Sequence, residues 1–134
     1  MKCLVVDDDL ELLALTRHYL CQHLAPYWTI YTANSGFQAR KQLHQLHGVH
    51  MLITDRHMPG ENGISLLHFT AENWPATHFI LMSSDVQGVY RTPHSHHFEI
   101  QGIQGKFLSK PFSVKTLLHC VQESCYPPHH EPSS

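Results

Sequence analysis

Five polar residues stand where short apolar runs stop: Asp7 and Asp8 after residues 2–6, Asp55 after His50–Thr54, Ser83 after His78–Met82, and Lys110 after Lys106–Ser109. An apolar run of that length ending in polar groups reads as a buried strand running out into a loop. As strands of one parallel sheet, the runs bring all five side chains to the rim at their carboxyl ends, where such sheets bind ligands. Three carboxylates crowded there repel one another and are stable with a divalent cation between them. Hard oxygen ligands with room left for water suit Mg²⁺. A carboxylate surrounded by Mg²⁺, an ammonium and a hydroxyl is equipped for phosphoryl transfer, which needs charge neutralised on three equatorial oxygens and an oxygen nucleophile in line. Asp55 is the best nucleophile of the set. Taken singly, each residue has an ordinary explanation: Asp8 or Asp9 as a helix cap, Ser83 as a strand-end hydroxyl, Lys110 as a solvated charge. Their joint occurrence at four strand ends of one type favours chemistry. X-Pro bonds at Met58-Pro59 and Lys110-Pro111 fix loop geometry, and a cis bond at the second would aim the lysine back into the site.

The stretches between the strands supply the elements that hold these residues. From Leu10 to Leu24, Leu13, Thr16, Leu20 and Leu24 repeat at helical spacing, with Asp9 able to cap and Pro26 to stop the helix. Trp28–Ala33 is β-branched and aromatic, as a strand is. Ser35-Gly36 opens a second helix that turns Ala39, Leu43 and Leu46 inward and closes at Gly48. Asn62 caps a third helix carrying Ile64, Leu67 and Ala71, with Pro75 beyond its end. Ser113 caps a last one carrying Val114, Leu117, Leu118 and Val121. The segment from Val86 to Gly105 has Pro93 and little periodicity, so a shorter or looser helix is expected there. Five strands alternating with helices predict an α/β fold: a doubly wound, five-stranded parallel sheet with right-handed crossovers and helices on both faces. One domain is expected over residues 1–122, and a Pro-rich tail or linker start over 123–134.

Composition bounds the alternatives. The chain has 134 residues, 42% of them hydrophobic, enough for one core and too few for a multidomain enzyme. A formal charge of −2 offers no basic field for nucleic acid. No apolar run reaches the roughly 20 residues that span a bilayer, and the first residues run into acids instead of a cleavage site, so a soluble, cytoplasmic protein is expected. Cys3, Cys21, Cys120 and Cys125 form no CxxC pair and read as reduced apolar filler. Fourteen histidines make the surface gain positive charge below about pH 6.5. Two clusters, His94/His96/His97 and His129/His130, lack the paired spacing of a structural zinc site, which leaves at most an adventitious metal.

From Lys2 to about Gln122 the sequence resembles the receiver domain of two-component response regulators. The resemblance is carried by Val5-Val6-Asp7-Asp8, by Asp55-Arg56-His57-Met58-Pro59-Gly60 with Gly63 following, by Leu81-Met82-Ser83-Ser84, and by Lys110-Pro111-Phe112, all in the family's order. It implies a flavodoxin-like fold and a phosphohistidine, on a sensor histidine kinase or a histidine phosphotransfer protein, that donates to Asp55. It also implies Mg²⁺ bound by the carboxylates of Asp8 and Asp55, by Asp7 through water and by the backbone carbonyl of His57. Ser83 and Lys110 would contact the phosphoryl oxygens, and Phe107 matches the family's aromatic switch position, so that Ser83 and Phe107 form the switch. Signalling would then run to a downstream protein target, with no direct nucleic-acid or membrane contact. His57 and Asp85 flank the approach of water to the phosphoryl group in this family, where an imidazole facing a carboxylate either orients that water or closes its path.

Three features depart from the pattern: a charged Arg56 where an apolar residue is usual, a Ser83-to-Lys110 separation of 27 residues that is a few longer than usual, and no clear fourth helix between them. Two other readings remain open. An aspartate-nucleophile phosphatase of the haloacid dehalogenase type would use Asp7 within Asp7-Asp8-Asp9, but Glu11 is atypical there and no second acidic pair follows Lys110. A phosphorylation-independent receiver-like binding module would keep the fold without the chemistry, although such modules usually lose an acid or the lysine. On the main reading the chain is no enzyme beyond its own phosphorylation and dephosphorylation at Asp55.

Overall fold

The computed structural model describes residues 1–92 and 96–125. Three strands, β1 (Lys2–Val6), β3 (Met51–Asp55) and β4 (His78–Ser83), form the centre of a parallel sheet, and their residues are buried almost throughout. Burial on both faces is why they read as unbroken apolar runs instead of alternating ones. With β2 (Thr29–Ala33) and β7 (Ile103–Ser109) they make the five parallel strands expected, in the order β2-β1-β3-β4-β7. Helices α1 (Leu10–Leu24) and α4 (Val114–Cys125) cover one face, where Leu13, Leu20, Leu117 and Val121 pack on Val5, Ile53, Ile80 and Leu108. Helices α2 (Gly36–Leu46) and α3 (Gly63–Asn73) cover the other through Ala39, Leu43, Ile64 and Leu67, against Leu4, Val6, Leu52 and Leu81.

The helix starts follow the expected caps. The side chains of Asp9, Ser35 and Asn62 accept hydrogen bonds from the backbone N–H groups of Leu12, Gln38 and Ser65, and Ser113 Oγ accepts from Thr116 N. Helix α4 continues to Cys125, so the first three residues of the expected tail are helical. The rest of the tail, with His129 and His130, lies outside the described residues, as does His94. All four cysteines are free. Burial pushes the thiols of Cys3, Cys120 and Cys125 up, those of Cys120 and Cys125 to about 12 and about 11, which keeps them protonated and apolar in character.

The expectation of a fourth crossover helix within 86–105 is corrected. The described part of this segment instead adds two antiparallel strands, β5 (Tyr90–Arg91) and β6 (His97–Ile100), and brings the sheet to seven strands in the order β2-β1-β3-β4-β7-β6-β5. Strand β7 begins three residues earlier than expected, because Ile103–Gly105 pair with β6. A two-residue turn joins β6 to β7. Gln101 and Gly102 both have positive φ, 51° and 83°, the backbone sense that matches the twist of a hairpin. Close packing requires a glycine at Gly105: a Cβ there would lie 2.4 Å from the carbonyl oxygen of Phe79 and 3.0 Å from the ring of Phe98. Phe98, fully buried, packs edge-on against Phe107.

Candidate functional site

The chain winds outward from β1 to β2 and then crosses to β3 on the opposite side, so a crevice opens between the carboxyl ends of β1 and β3. Asp7 and Asp8 follow β1, Asp55 is the last residue of β3, Ser83 the last of β4, and Lys110 follows β7. The sequence expectation that one rim gathers them therefore holds. Asp9, not Asp8, caps α1. Its own N–H donates to Asp7 Oδ1 at 3.0 Å, which turns the Asp7 carboxylate inward to nearly complete burial, while Asp8 stays exposed.

Lys110 Nζ bridges the two inner carboxylates, 2.9 Å from Asp7 Oδ2 and 3.1 Å from Asp55 Oδ1. Its peptide bond to Pro111 is cis, and its backbone N–H donates to the carbonyl of Ser83 at 3.0 Å. Burial raises the Asp55 carboxyl above the usual range; the Lys110 ammonium opposes that shift, and the charges of Asp7 and Asp8 add to it. For Lys110, burial alone would lower the ammonium, but its bonds to Asp7 and Asp55 outweigh burial and raise it. The contacts with Asp7 and Asp55 thus favour the charged ammonium, while burial and the neighbouring carboxylates disfavour the Asp55 anion. One oxygen from each of Asp7, Asp8 and Asp55 lies within 4.8 Å of the other two. Two buried carboxylates and one exposed carboxylate, held close and short of positive charge, fit a hard divalent cation that keeps several waters.

Ser83 is buried, and its Oγ accepts from the N–H of Asp85 at 2.9 Å. That bond uses a lone pair and leaves the hydroxyl proton to donate elsewhere. Phe107 is buried on β7, edge-on to Phe98 at 6.3 Å between centroids and with the Arg91 guanidinium 5.3 Å from its ring centroid. The residue at the switch position is thus covered by the added strands. His57 and Asp85 do face each other: Nε2 lies 2.8 Å from Oδ2. The Asp85 carboxyl is held below its usual value, first by the N–H of Gln87 and then by His57.

Sequence reasoning left Arg56 unexplained, and its side chain turns out to be a clamp. The guanidinium donates to the carbonyl of Asp85 at 2.8 Å and of Gln87 at 2.7 Å, tying the loop after β3 to the loop after β4. A planar fork with several donors spans two carbonyls well, which accounts for an arginine where an apolar residue was expected. Gly63 was noted only for its place after Gly60. A Cβ on it would lie 2.1 Å from the carbonyl oxygen of Asp55, and its N–H donates to the carbonyl of Arg56 at 2.6 Å. The start of α3 is therefore pressed against the end of β3, and this contact sets the position of Asp55.

Comparison with known proteins agrees with this architecture. Similar solved structures include the chemotaxis protein CheY4 of Vibrio cholerae (TM-score 0.71, 19% identity, 92% of this chain and 97% of that one) and the receiver domain of the hybrid histidine kinase CckA (0.72, 21%, 92% and 98%). A two-component transcriptional regulator AraC from Clostridium phytofermentans is also similar (0.74, 20%, 92% and 90%). At these identities the likeness shows the flavodoxin-like receiver fold. No curated protein sequence matches the chain. The family model described as the response regulator receiver domain matches residues 3–122, a span running from the first residues of β1 into α4 and so containing every acid, hydroxyl and lysine of the rim. By that match the chain belongs to the response regulator receiver domain family of two-component systems.

Proposed function

We propose that the chain is a phosphorelay receiver that takes a phosphoryl group from a partner phosphohistidine onto Asp55 and passes the signal to a protein target. The observation that carries this reading is the Lys110 ammonium held between Asp7 and Asp55 at 2.9 and 3.1 Å. In the step itself an Asp55 carboxylate oxygen attacks phosphorus, the P–N bond to the donor imidazole breaks, and an acyl phosphate forms while the imidazole leaves. Asp55 has a freer oxygen for attack than Asp7. Both Asp7 oxygens are engaged, one by the Asp9 N–H and one by Lys110, whereas Lys110 meets Asp55 at Oδ1 and leaves Oδ2 for attack. Mg²⁺ held by Asp8 and Asp55, with Asp7 through water and the His57 carbonyl, would supply neutralising charge to the phosphoryl oxygens. Lys110 would follow the new phosphoryl oxygen away from Asp55, and the Ser83 hydroxyl would donate to another. Either movement would reach β7 and Phe107, because Lys110 and Ser83 join the ends of β4 and β7.

The partners proposed are a sensor histidine kinase or histidine phosphotransfer protein and a downstream protein, in the cytoplasm. Among the described residues no helix is long and apolar enough to cross a membrane. The test uses phosphoramidate, whose P–N bond stands in for that of phosphohistidine. With Mg²⁺ the parent chain should become phosphorylated, Lys110→Ala much more slowly, and Asp55→Asn not at all. Labelling on Asp7 would favour the dehalogenase-type reading, and no labelling at all a phosphorylation-independent module.

A further inference from the structure

Outside the phosphoryl site, one set of ligating side chains converges from separate elements: His96, His119 and Glu123. His119 and Glu123 lie one turn apart on α4, with Nε2 3.0 Å from Oε2. His96 immediately precedes β6 and directs Nδ1 at the second Glu123 oxygen, 3.9 Å away. Both His96 Nδ1 and Glu123 Oε1 are buried, and neither has a hydrogen-bond partner among the described residues. Buried polar atoms are normally paired; Glu123 Oε1 has the Lys106 ammonium at 3.5 Å, but His96 Nδ1 faces it across a gap too long for a hydrogen bond, and that nitrogen calls for a third party. One donor atom from each of the three residues lies within 4.8 Å of the others. A tetrahedral ion with bonds of about 2.0–2.1 Å holds neighbouring ligand atoms about 3.4 Å apart. The separations of 3.0 Å (His119 to Oε2) and 3.9 Å (His96 to Oε1) lie on either side of that value through the two oxygens of one carboxylate, which would turn toward the ion on binding.

We propose that His96, His119 and Glu123 form a second metal site, for a divalent transition ion of the zinc class. Two imidazole nitrogens select such an ion over Mg²⁺, which prefers oxygen. A groove of about 470 Å³ beside His96 and His119 leaves a fourth position open to water. The competing charges are Lys106, whose Nζ lies 3.5 Å from Glu123 Oε1, and Lys115, which lines the groove. Lys106 sits on a flexible stem and can withdraw to solvent when the ion takes its place. Since the carbonyl of His96 accepts the N–H of Phe107, the ion would pin the chain entering β6 both to α4 and to the strand that carries the switch residue.

The test titrates the full chain with Zn²⁺ and Co²⁺ in excess Mg²⁺, following Co²⁺ visible absorption and the ring-nitrogen resonances of the histidines. One equivalent should bind and shift His96 and His119. Binding should persist in Asp55→Asn and in His18→Ala, and weaken about tenfold or more in His119→Ala and Glu123→Gln. His119 is half exposed, so its variant keeps the fold, and an unchanged urea midpoint checks that. Two results overturn the proposal: undiminished binding in His119→Ala, which assigns the ion to other histidines, and loss of binding in Asp55→Asn, which assigns it to the phosphoryl site.

Discussion

Replacing Asp55 by Asn should stabilise the fold at pH 7 without divalent cations, although it removes an ion-pair partner of Lys110. At 4.8 Å, the outer limit of their separation, Asp7 and Asp8 each repel the Asp55 charge by ~3.5 kcal/mol with an effective dielectric constant of about 20. Lys110 at 3.1 Å returns ~5 kcal/mol on the same scale. The balance is unfavourable by ~1–2 kcal/mol, in the direction of the raised Asp55 pKa, and burial adds to it. A carboxyl whose folded pKa is raised weakens the fold where it is ionised; the penalty is full above the folded value and disappears as pH falls below the unfolded one. The gain from Asn should therefore be ~1–2 kcal/mol at pH 7 and shrink toward nothing near pH 4. Saturating Mg²⁺ should close the gap by stabilising the parent through binding to its native state. Urea unfolding at the two pH values, with and without Mg²⁺, reads all three effects. An Asn variant no more stable than the parent at pH 7, or an advantage unchanged near pH 4, refutes the reasoning.

Removing the cation should have the opposite sign. Lys110→Met strands Asp7 and Asp55 without compensation and should cost ~2–4 kcal/mol at pH 7 by urea unfolding, less as the carboxylates protonate. Gly63→Ala forces a Cβ onto the Asp55 carbonyl and should cost ~1–3 kcal/mol while also slowing phosphorylation. Acting as a lid, the His57–Asp85 pair, joined Nε2 to Oδ2 at 2.8 Å, would hold water away from the phosphoryl group. Phosphoryl loss should then be several-fold faster in both His57→Ala and Asp85→Ala, measured by the decay of labelled protein; rates equal to the parent would remove both residues from the process.

Much of the fold was legible because its signals are local and repeated. Asp9, Ser35, Asn62 and Ser113 sit one residue before an apolar periodicity, and each caps the helix it announces. The central strands show as unbroken apolar runs because both faces are covered. The rim residues were legible for the same reason, since a strand end fixes where a polar side chain emerges. Segment 86–105 was not. Its hairpin signal is one short alternation, Phe98 and Ile100 buried around exposed Glu99, then Gln101-Gly102 at the turn, and it lies among histidines and Pro93. The rule that parallel neighbours need a helical crossover weighed against it, yet β4 and β7 are joined through edge strands instead. Arg56 and the His96–His119–Glu123 group depend on contacts between distant segments, which no spacing in the sequence reports.

Incubation with acetyl phosphate and Mg²⁺, followed by mapping of the modified residue, tests Asp55 as phosphoacceptor most directly. The expected product is one acyl phosphate, on the peptide containing Asp55, formed only with Mg²⁺ and absent from Asp55→Asn. A phosphoryl group mapped to Asp7, or full labelling of Asp55→Asn, would contradict the assignment.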